Sequence, residues 1–387
     1  MRIAILTGGG DVPGLNAAIK ALTYRAVENG DEVLGIRRGW DGLLNYNLAD
    51  KDASQVWLMP LNKMNTRRID REGGTLLHAS RVNPGKVMAK NLPAFLQSTY
   101  IPDTATDDTP VDLTSHILKV LESLQIDVLI PLGGEDTLGY GARIHREGFP
   151  VISIPKTMDN DVFGSDYCIG FSTAVTRSVT FIHQLRTAIG SHERLGIIEL
   201  FGRHSGETAL IAAYLAGADR TLICEVPFSV DRLAEQLSED KSMNPSHYAI
   251  AVLSEGARVT SAQAISQNAL NPGSRQRGAG IGQYVTNELK RITGEDIVHQ
   301  QLGYLMRSGS PDSLDLMVAV NYANMALDLI QDGIFGRMVA LRDGQYTSVV
   351  ADAPLLGVKR VDVEQLYDTE AYRPKIRHVH RKPMFLY

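Results

Sequence analysis

The chain has 387 residues, which at about 150 residues per domain corresponds to two or three domains. Its composition, 44% hydrophobic and 21% charged, is that of an ordinary globular protein and excludes global disorder, collagen and coiled coil. With 39 basic against 44 acidic residues the net charge is −5, so the dominant basic footprint of a nucleic-acid binder is absent.

Short apolar runs predict strands over 2–6, 32–36, 128–132, 151–154, 195–200, 221–224 and 248–253. Longer amphipathic runs between them predict helices over 14–28, 113–124, 137–146, 172–189, 206–216, 230–237, 281–291 and 311–329. Continuous β-branched strands separated by helices are the pattern of buried parallel sheets, so the class is α/β and mainly parallel. Ser310-Pro311-Asp312 predicts an N-cap, a proline at the first helical position and an early acid. Gly190 predicts a C′ residue closing the helix over 172–189. Residues 98–112 and 268–282, rich in Pro, Asp, Thr, Asn and Gly, read as surface loops. The end of the chain, 373–382, carries five Lys or Arg with His378 and His380; it is a solvated terminus, an anion site or an incidental metal site.

Cys168 and Cys224 stand alone, without a C-x-x-C pair, which speaks against a disulfide framework or zinc site and for a reducing cytoplasm. The first apolar run is too short for a signal peptide, and the absence of an 18-residue apolar stretch argues against a membrane span.

Four motifs follow predicted strands, where open α/β sheets bind ligands. Leu6-Thr-Gly-Gly-Gly-Asp-Val-Pro-Gly-Leu-Asn16 is either a phosphate loop, its glycines letting backbone approach an anion, or a structural strand-to-helix turn. It matches neither the Walker A loop nor G-x-G-x-x-G, and the latter mismatch removes support for an NAD-binding oxidoreductase. Val128-Leu-Ile-Pro-Leu-Gly-Gly-Glu-Asp-Thr137 places Glu135 and Asp136 where carboxylates suit Mg2+; N-capping by Asp136 or Thr137 is the plainer alternative. Ile154-Pro-Lys-Thr-Met-Asp-Asn-Asp161 offers two acids for proton transfer beside the cation of Lys156, or simply an Asx-rich turn. Arg194, and Arg203 within Leu200-Phe-Gly-Arg-His-Ser-Gly206, are either phosphate ligands or ion-pair residues. Together these glycines, acids and arginines suggest Mg2+-assisted phosphoryl transfer.

From Met1 to about Gly333 the chain resembles the phosphofructokinase A family. The resemblance rests on Thr7-Gly-Gly-Gly-Asp-x-Pro-Gly-x-Asn16, Gly73-Gly-Thr75 with Ser80-Arg81, Gly133-Gly-Glu-Asp136, Pro155-Lys-Thr-x-Asp-Asn-Asp161, Gly202-Arg203 and Arg307-Ser-Gly-Ser-Pro311. It implies two similar three-layer α/β domains with mainly parallel sheets and an active-site cleft between them. Residues 1–155 with part of the C-terminal region would hold the phosphoryl donor and Mg2+, 156–330 the sugar phosphate, and 331–387 would form C-terminal strands and a tail. It further implies donor binding by Gly9, Gly10, Arg81, Gly134, Asp136 and Lys156, with Gly9 at the transferable phosphate, and Mg2+ on Glu135. Catalysis falls to Asp159 as base, with Thr157 and Asp161 beside it and Arg203 at the transferred group. Sugar-phosphate binding falls to Thr157, Asp159, Phe201, Gly202, Arg203, Glu225, Tyr304 and Arg307. Arg194 would come from an adjacent subunit, implying a homodimer or homotetramer with shared sites.

Asp136 and Lys156 stand where ATP-using relatives carry glycines, so the resemblance points to the pyrophosphate-dependent class. The expected reaction is reversible transfer from pyrophosphate to the 1-hydroxyl of fructose 6-phosphate, with no nucleic-acid or membrane partner. Phe201, Tyr304 and Val298 depart from the family's Met, His and Arg. The last departure leaves Arg291 or His299 as substitutes, or another acceptor such as sedoheptulose 7-phosphate. An ATP-dependent enzyme and a non-catalytic sugar-phosphate-binding subunit are the other readings.

Overall fold

The computed structural model describes residues 1–101, 106–260 and 280–375. In chain order its principal elements are β1 (Arg2–Thr7), α1 (Leu15–Glu28), β2 (Glu32–Ile36), β3 (Leu58–Leu61), α2 (Thr114–Ser123), β4 (Val128–Gly133), α3 (Glu135–Arg146), β5 (Ile152–Pro155), α4 (Phe171–Gly190), β6 (Leu195–Leu200), α5 (Glu207–Ala216), β7 (Arg220–Leu222), α6 (Val230–Met243), β8 (Ala249–Ser254), α7 (Ile281–Thr293), β9 (Ile297–Gln301), α8 (Ser313–Gln331), β10 (Arg337–Arg342) and β11 (Gln345–Val350).

The strands form two sheets, one of seven in the order β11-β10-β5-β4-β1-β2-β3 and one of four in the order β9-β6-β8-β7. All neighbours are parallel except the outermost pairs of the larger sheet, β2 with β3 and β10 with β11. Side chains alternate along each strand, and both faces are covered. Ile3 and Ile5 pack with α1 and α8, while Ala4 and Leu6 pack with α2 and α3. In the smaller sheet Leu195 and Ile197 pack with α6 and α7, and Ile198 and Leu200 with α4 and α5. Each sheet is thus the middle of three layers.

The chain after α8 serves both sheets. Strands β10 and β11 extend the larger one. The following segment returns to the smaller one, where Tyr367 donates its hydroxyl to Thr221 O at 2.6 Å and Tyr372 O accepts the Thr221 amide at 2.8 Å. Arg373, the start of the basic end, pairs with Asp240 of α6 at 2.7 Å; His378, His380 and the rest of that end lie outside the described residues.

The structure differs from the sequence reading at several points. Gly190 is the last residue of α4 rather than a cap beyond it, and the left-handed turn comes at Glu193 (φ 51°). A side chain at 190 would crowd the Tyr248 ring, its Cβ falling 3.2 Å from Cδ1. The N-cap of α8 is Asp312, which accepts the Asp315 amide at 2.9 Å, so Ser310 and Pro311 precede the helix. Asp312 also accepts the Ser172 and Thr176 hydroxyls at 2.6 and 2.8 Å. Fully buried Asp315 accepts Tyr167 Oη–H, Gly170 N–H and Thr173 N–H at 2.7–2.8 Å. Two aspartates therefore join the first turns of α4 and α8, where helix dipoles favour negative charge. Helix α6 runs six residues past its predicted end, and the strand expected over 221–224 is Arg220–Leu222. The expected loop over 98–112 overlaps the end of a helix, Ala94–Tyr100, and a short strand, Pro110–Val111; its residues 102–105 lie outside the described residues. Most of the other expected loop, 268–279, does too.

Candidate active site

The loops after the carboxyl ends of both sheets meet. Thr208, in the first turn of α5, donates its hydroxyl to Met158 O at 2.8 Å, and Arg307 donates to Asp11 O at 3.0 Å. Beside this junction lies a cavity of about 670 Å3, lined by Gly9, Gly10, Asp11, Gly74, Thr75, the stretch from His78 to Arg81, Tyr304 and Arg307.

After β1, Gly9 adopts φ 79°, and its amide is already bonded to Ser80 O at 2.8 Å. Its value to a ligand is therefore space: a Cβ there would stand 3.1 Å from Lys156 Nζ, and a Cβ at Gly10 would overlap the Arg307 guanidinium. Lys156, at the end of β5, is 4% exposed. It makes no side-chain hydrogen bond or ion pair among the described residues. Burial, reinforced by Arg307 and Arg81, lowers its pKa to about 8, against the opposing pull of Asp161. Three cations thus converge on the glycine loop. Arg307, expected at the sugar phosphate, lies against this loop, 3.5 Å from Asp11 Oδ1 and beneath the Tyr304 ring at 4.7 Å.

After β4, Gly134 is the N-cap of α3 and no side chain caps the helix, so the capping role for Asp136 or Thr137 does not occur. Thr137 instead packs under Gly8 and Gly133, and its carbonyl accepts Trp40 Nε1–H at 3.3 Å. Glu135 and Asp136 are left exposed in the first helical turn. Desolvation raises the Glu135 pKa, and repulsion from Asp136 and Asp161 adds to it.

The turn after β5 carries the acids. Thr157 Oγ1 accepts the Asp159 amide at 3.2 Å. Asn160 is left-handed (φ 53°) and fully buried. Asp159 Oδ1 is buried and has no hydrogen-bond partner among the described residues. Burial first, then the charges of Asp161 and Glu255, push the Asp159 pKa up to about 7, while the Arg203 amide and guanidinium pull it down. A carboxylate with this pKa is suited to accept a proton near neutrality.

The smaller sheet supplies the rest. Gly202 has φ 137°, and a Cβ there would meet Ser254 Oγ and Ser205 O within 2.7 Å. Arg203 bonds Glu255 Oε1 through Nε at 3.2 Å and is otherwise exposed. The Phe201 and Tyr304 rings meet edge to face, 5.9 Å apart. Glu225 is heavily engaged: both oxygens accept the Gly206 amide, at 2.9 and 3.1 Å, and Oε1 also accepts the Val361 amide at 3.1 Å.

Arg194 is not brought into this chain's own site. It precedes β6 and faces Asp296 at 4.0 Å, whereas Phe201 follows the strand, about 20 Å away at roughly 3.3 Å per residue. Arg291, paired with Glu288 at 2.9 Å in the last turns of α7, lies toward that same amino edge. His299 is 3.8 Å from Glu199, and Val298 packs into the core shared with α4 and α5.

The sequence reading passed over three residues here. His78 lines the cavity in a left-handed conformation (φ 58°), unusual for a residue with a side chain. Its place three residues after Thr75 of Gly73-Gly-Thr75 was the available signal. Asn160 lay inside a quoted motif, and Asn between two acids is the residue type that tolerates this geometry. Glu255 had no local signal.

The model of the family described as Phosphofructokinase matches residues 2–330. The chain belongs to the phosphofructokinase family. It is 35% identical over 351 residues to the ATP-dependent 6-phosphofructokinase of Chloroflexus aggregans, covering 90% of this chain and 89% of that protein. It is 33% identical over 374 residues to the pyrophosphate–fructose 6-phosphate 1-phosphotransferase of Amycolatopsis methanolica, covering 96% and 99%. Its fold is similar to the crystal structure of the pyrophosphate-dependent phosphofructokinase of Marinobacter aquaeolei, with a TM-score of 0.74 at 18% identity, covering 96% of this chain and 88% of that one. The enzyme is thus similar to relatives of both donor classes at nearly equal distance. No described helix is long and apolar enough to cross a membrane.

Proposed function

We propose that this enzyme transfers a phosphoryl group reversibly from pyrophosphate to the 1-hydroxyl of fructose 6-phosphate. The observation that carries the choice of donor is Lys156, a buried cation without an ion pair among the described residues, set against Gly9 with Arg81 and Arg307 close by. A compact ammonium among further cations matches the charge density of a diphosphate. Asp136 adds a negative charge in the first turn of α3, beside the Lys156 strand end, which disfavours a longer polyphosphate.

In this reading Asp159 accepts the hydroxyl proton as the sugar oxygen bonds to the near phosphorus. The bridging P–O bond breaks, and inorganic phosphate leaves. Lys156, Arg307 and Arg203 offset negative charge on the donor and the transferred group. Phe201, Gly202, Tyr304 and Glu225 shape the sugar pocket, and the larger-sheet half holds the donor.

The residues present fit a magnesium ion. No cluster of three His, Cys, Asp or Glu side chains able to hold a metal occurs among the described residues, but Mg2+ with phosphates usually keeps several waters and needs only one or two carboxylates. Glu135, crowded by Asp136 and Asp161 and only partly offset by His204, is a negative site of that kind. When bound, Mg2+ would neutralise charge on the phosphates.

Coupled turnover with pyrophosphate and ATP in parallel, against fructose 6-phosphate and sedoheptulose 7-phosphate, tests the reading; faster turnover with ATP would overturn the donor. The sedoheptulose arm is motivated by Val298, whose apolar packing supplies no phosphate ligand.

The position of Arg194 supports a site shared between copies in a homo-oligomer. Arg194→Ala should be nearly inactive, and mixing it with inactive Asp159→Ser should restore activity in hybrid sites. Absence of rescue, with subunit exchange verified, would leave each chain with a self-contained site.

A further inference from the structure

Lys359 lies outside the quoted motifs and beyond the stretch matched by the family. Its side chain is only 13% exposed. The ammonium donates to Glu207 Oε2 at 2.7 Å and to Asp166 O at 2.9 Å, and the Lys359 amide donates to Asp161 O at 3.0 Å. Glu207 Oε1 in turn accepts Asn160 Nδ2–H at 3.2 Å. Asn160 also donates to Asp166 O at 2.9 Å and accepts the Cys168 amide at 2.8 Å.

These bonds converge on the one residue between Asp159 and Asp161. Asn160 is left-handed, and a non-glycine residue keeps that geometry where its surroundings over-determine it. Its amide group is tied on both sides, and the Glu207 carboxylate that ties it is held by Lys359. The neighbouring backbone extends the arrangement: Val358 bridges Val162 in antiparallel fashion, and Val361 donates its amide to Glu225. One short run, 358–361, thus touches the turn bearing the proposed base on one side and Glu225 of the proposed sugar pocket on the other.

We infer that Lys359 is a positioning residue for phosphoryl transfer: through Glu207 and Asp166 it fixes the Asn160 turn so that the Asp159 carboxylate faces the acceptor hydroxyl. This rests on Asp159 being the base. Lys359 itself touches no reacting atom, so its loss acts on the rate of transfer rather than on binding.

The experiment compares Lys359→Met with Lys359→Met/Glu207→Gln, which removes the cation without leaving a buried unpaired carboxylate and so protects folding. Both are measured for kcat, both KM values and thermal unfolding. Misplacing a catalytic group should lower kcat by about 10–100-fold in each, with both KM values within about threefold of wild type. A kcat within about threefold of wild type in the folded double variant, or a loss confined to KM, overturns the role. In an Asp159→Asn background Lys359→Met should cost less than about threefold more, because the group it positions is gone; an undiminished loss there overturns action through Asp159. Wild-type kcat in Asp159→Asn alone overturns the base assignment and this inference with it. A collapsed Asp159→Asn beside an unaffected Lys359→Met overturns only the inference.

Discussion

Asp159→Asn is expected to lower kcat by about 10²–10⁴-fold, the usual worth of a general base, with little change in the KM for the sugar. The substitution keeps shape and hydrogen-bonding capacity and removes basicity. Wild-type kcat/KM should fall above about 8, as Lys156 loses its charge, and should climb with pH through about 7, because only the ionised Asp159 can accept a proton. The variant should lose that limb. Stability should move the opposite way. The Asp159 pKa is raised from an ordinary 3.8 to about 7 in the folded chain, so the folded state holds this proton more tightly than the unfolded state. Its contribution is complete below the ordinary value and is lost as pH rises through about 7. The neutral variant should therefore gain on wild type between those limits, reaching about 2–4 kcal/mol at alkaline pH at roughly 1.4 kcal/mol per pH unit. Denaturant unfolding at pH 4 and pH 8 measures the gap. A variant with wild-type turnover and an unchanged pH profile would remove Asp159 from the chemistry.

Lys156→Met is expected to raise the KM for pyrophosphate by about 10–150-fold, the equivalent of a lost charge-assisted hydrogen bond at about 1.5–3 kcal/mol. Methionine roughly preserves the buried volume, so the change tests charge. Asp136→Gly should act on the other donor: with the carboxylate gone from the first turn of α3, ATP turnover should rise. It should also cost about 0.3–1 kcal/mol of stability through the lost helix-dipole interaction. If both side chains face one ligand, the double variant will be non-additive. Unchanged pyrophosphate affinity in Lys156→Met, read from initial rates, would sever Lys156 from the donor.

Much of the fold was legible because buried parallel strands announce themselves as short apolar runs. Strands β1, β2, β4, β5, β6 and β8 fall within a residue of their predicted ends. Four strands have no predicted bounds. Pro60 interrupts β3, which forms an edge where a missing N–H is tolerated. Strand β9, Ile-Val-His-Gln-Gln, is half polar and partly exposed at the edge of the smaller sheet. Strands β10 and β11 are expected only as unspecified C-terminal strands; they pair with each other as a hairpin, and the other partner of β10, β5, lies far back in the chain. The site divides in the same way. Lys156, Asp159 and Asp161 were visible because turn chemistry and strand end coincide within eight residues. The meeting of Arg307 with Asp11, 296 positions apart, and of Lys359 with Glu207, 152 apart, depends on packing that no local pattern encodes.

The late arrival of β10 also sets an order of assembly. The strands of the smaller sheet come from one continuous stretch, 195–301, and can pair as soon as that stretch is available, with Tyr367 and Tyr372 completing the packing later. The larger sheet waits. Until residues beyond 337 appear, β5 presents an unpaired edge, and until α8 appears α1 lacks its partner helix and the Arg25–Asp328 ion pair. Synthesis from the amino end therefore produces the phosphate loop first but finishes the sheet that supports it last. During that interval the nascent chain carries an open strand edge and an uncovered apolar helix face, the features that invite chaperone binding and intermolecular pairing.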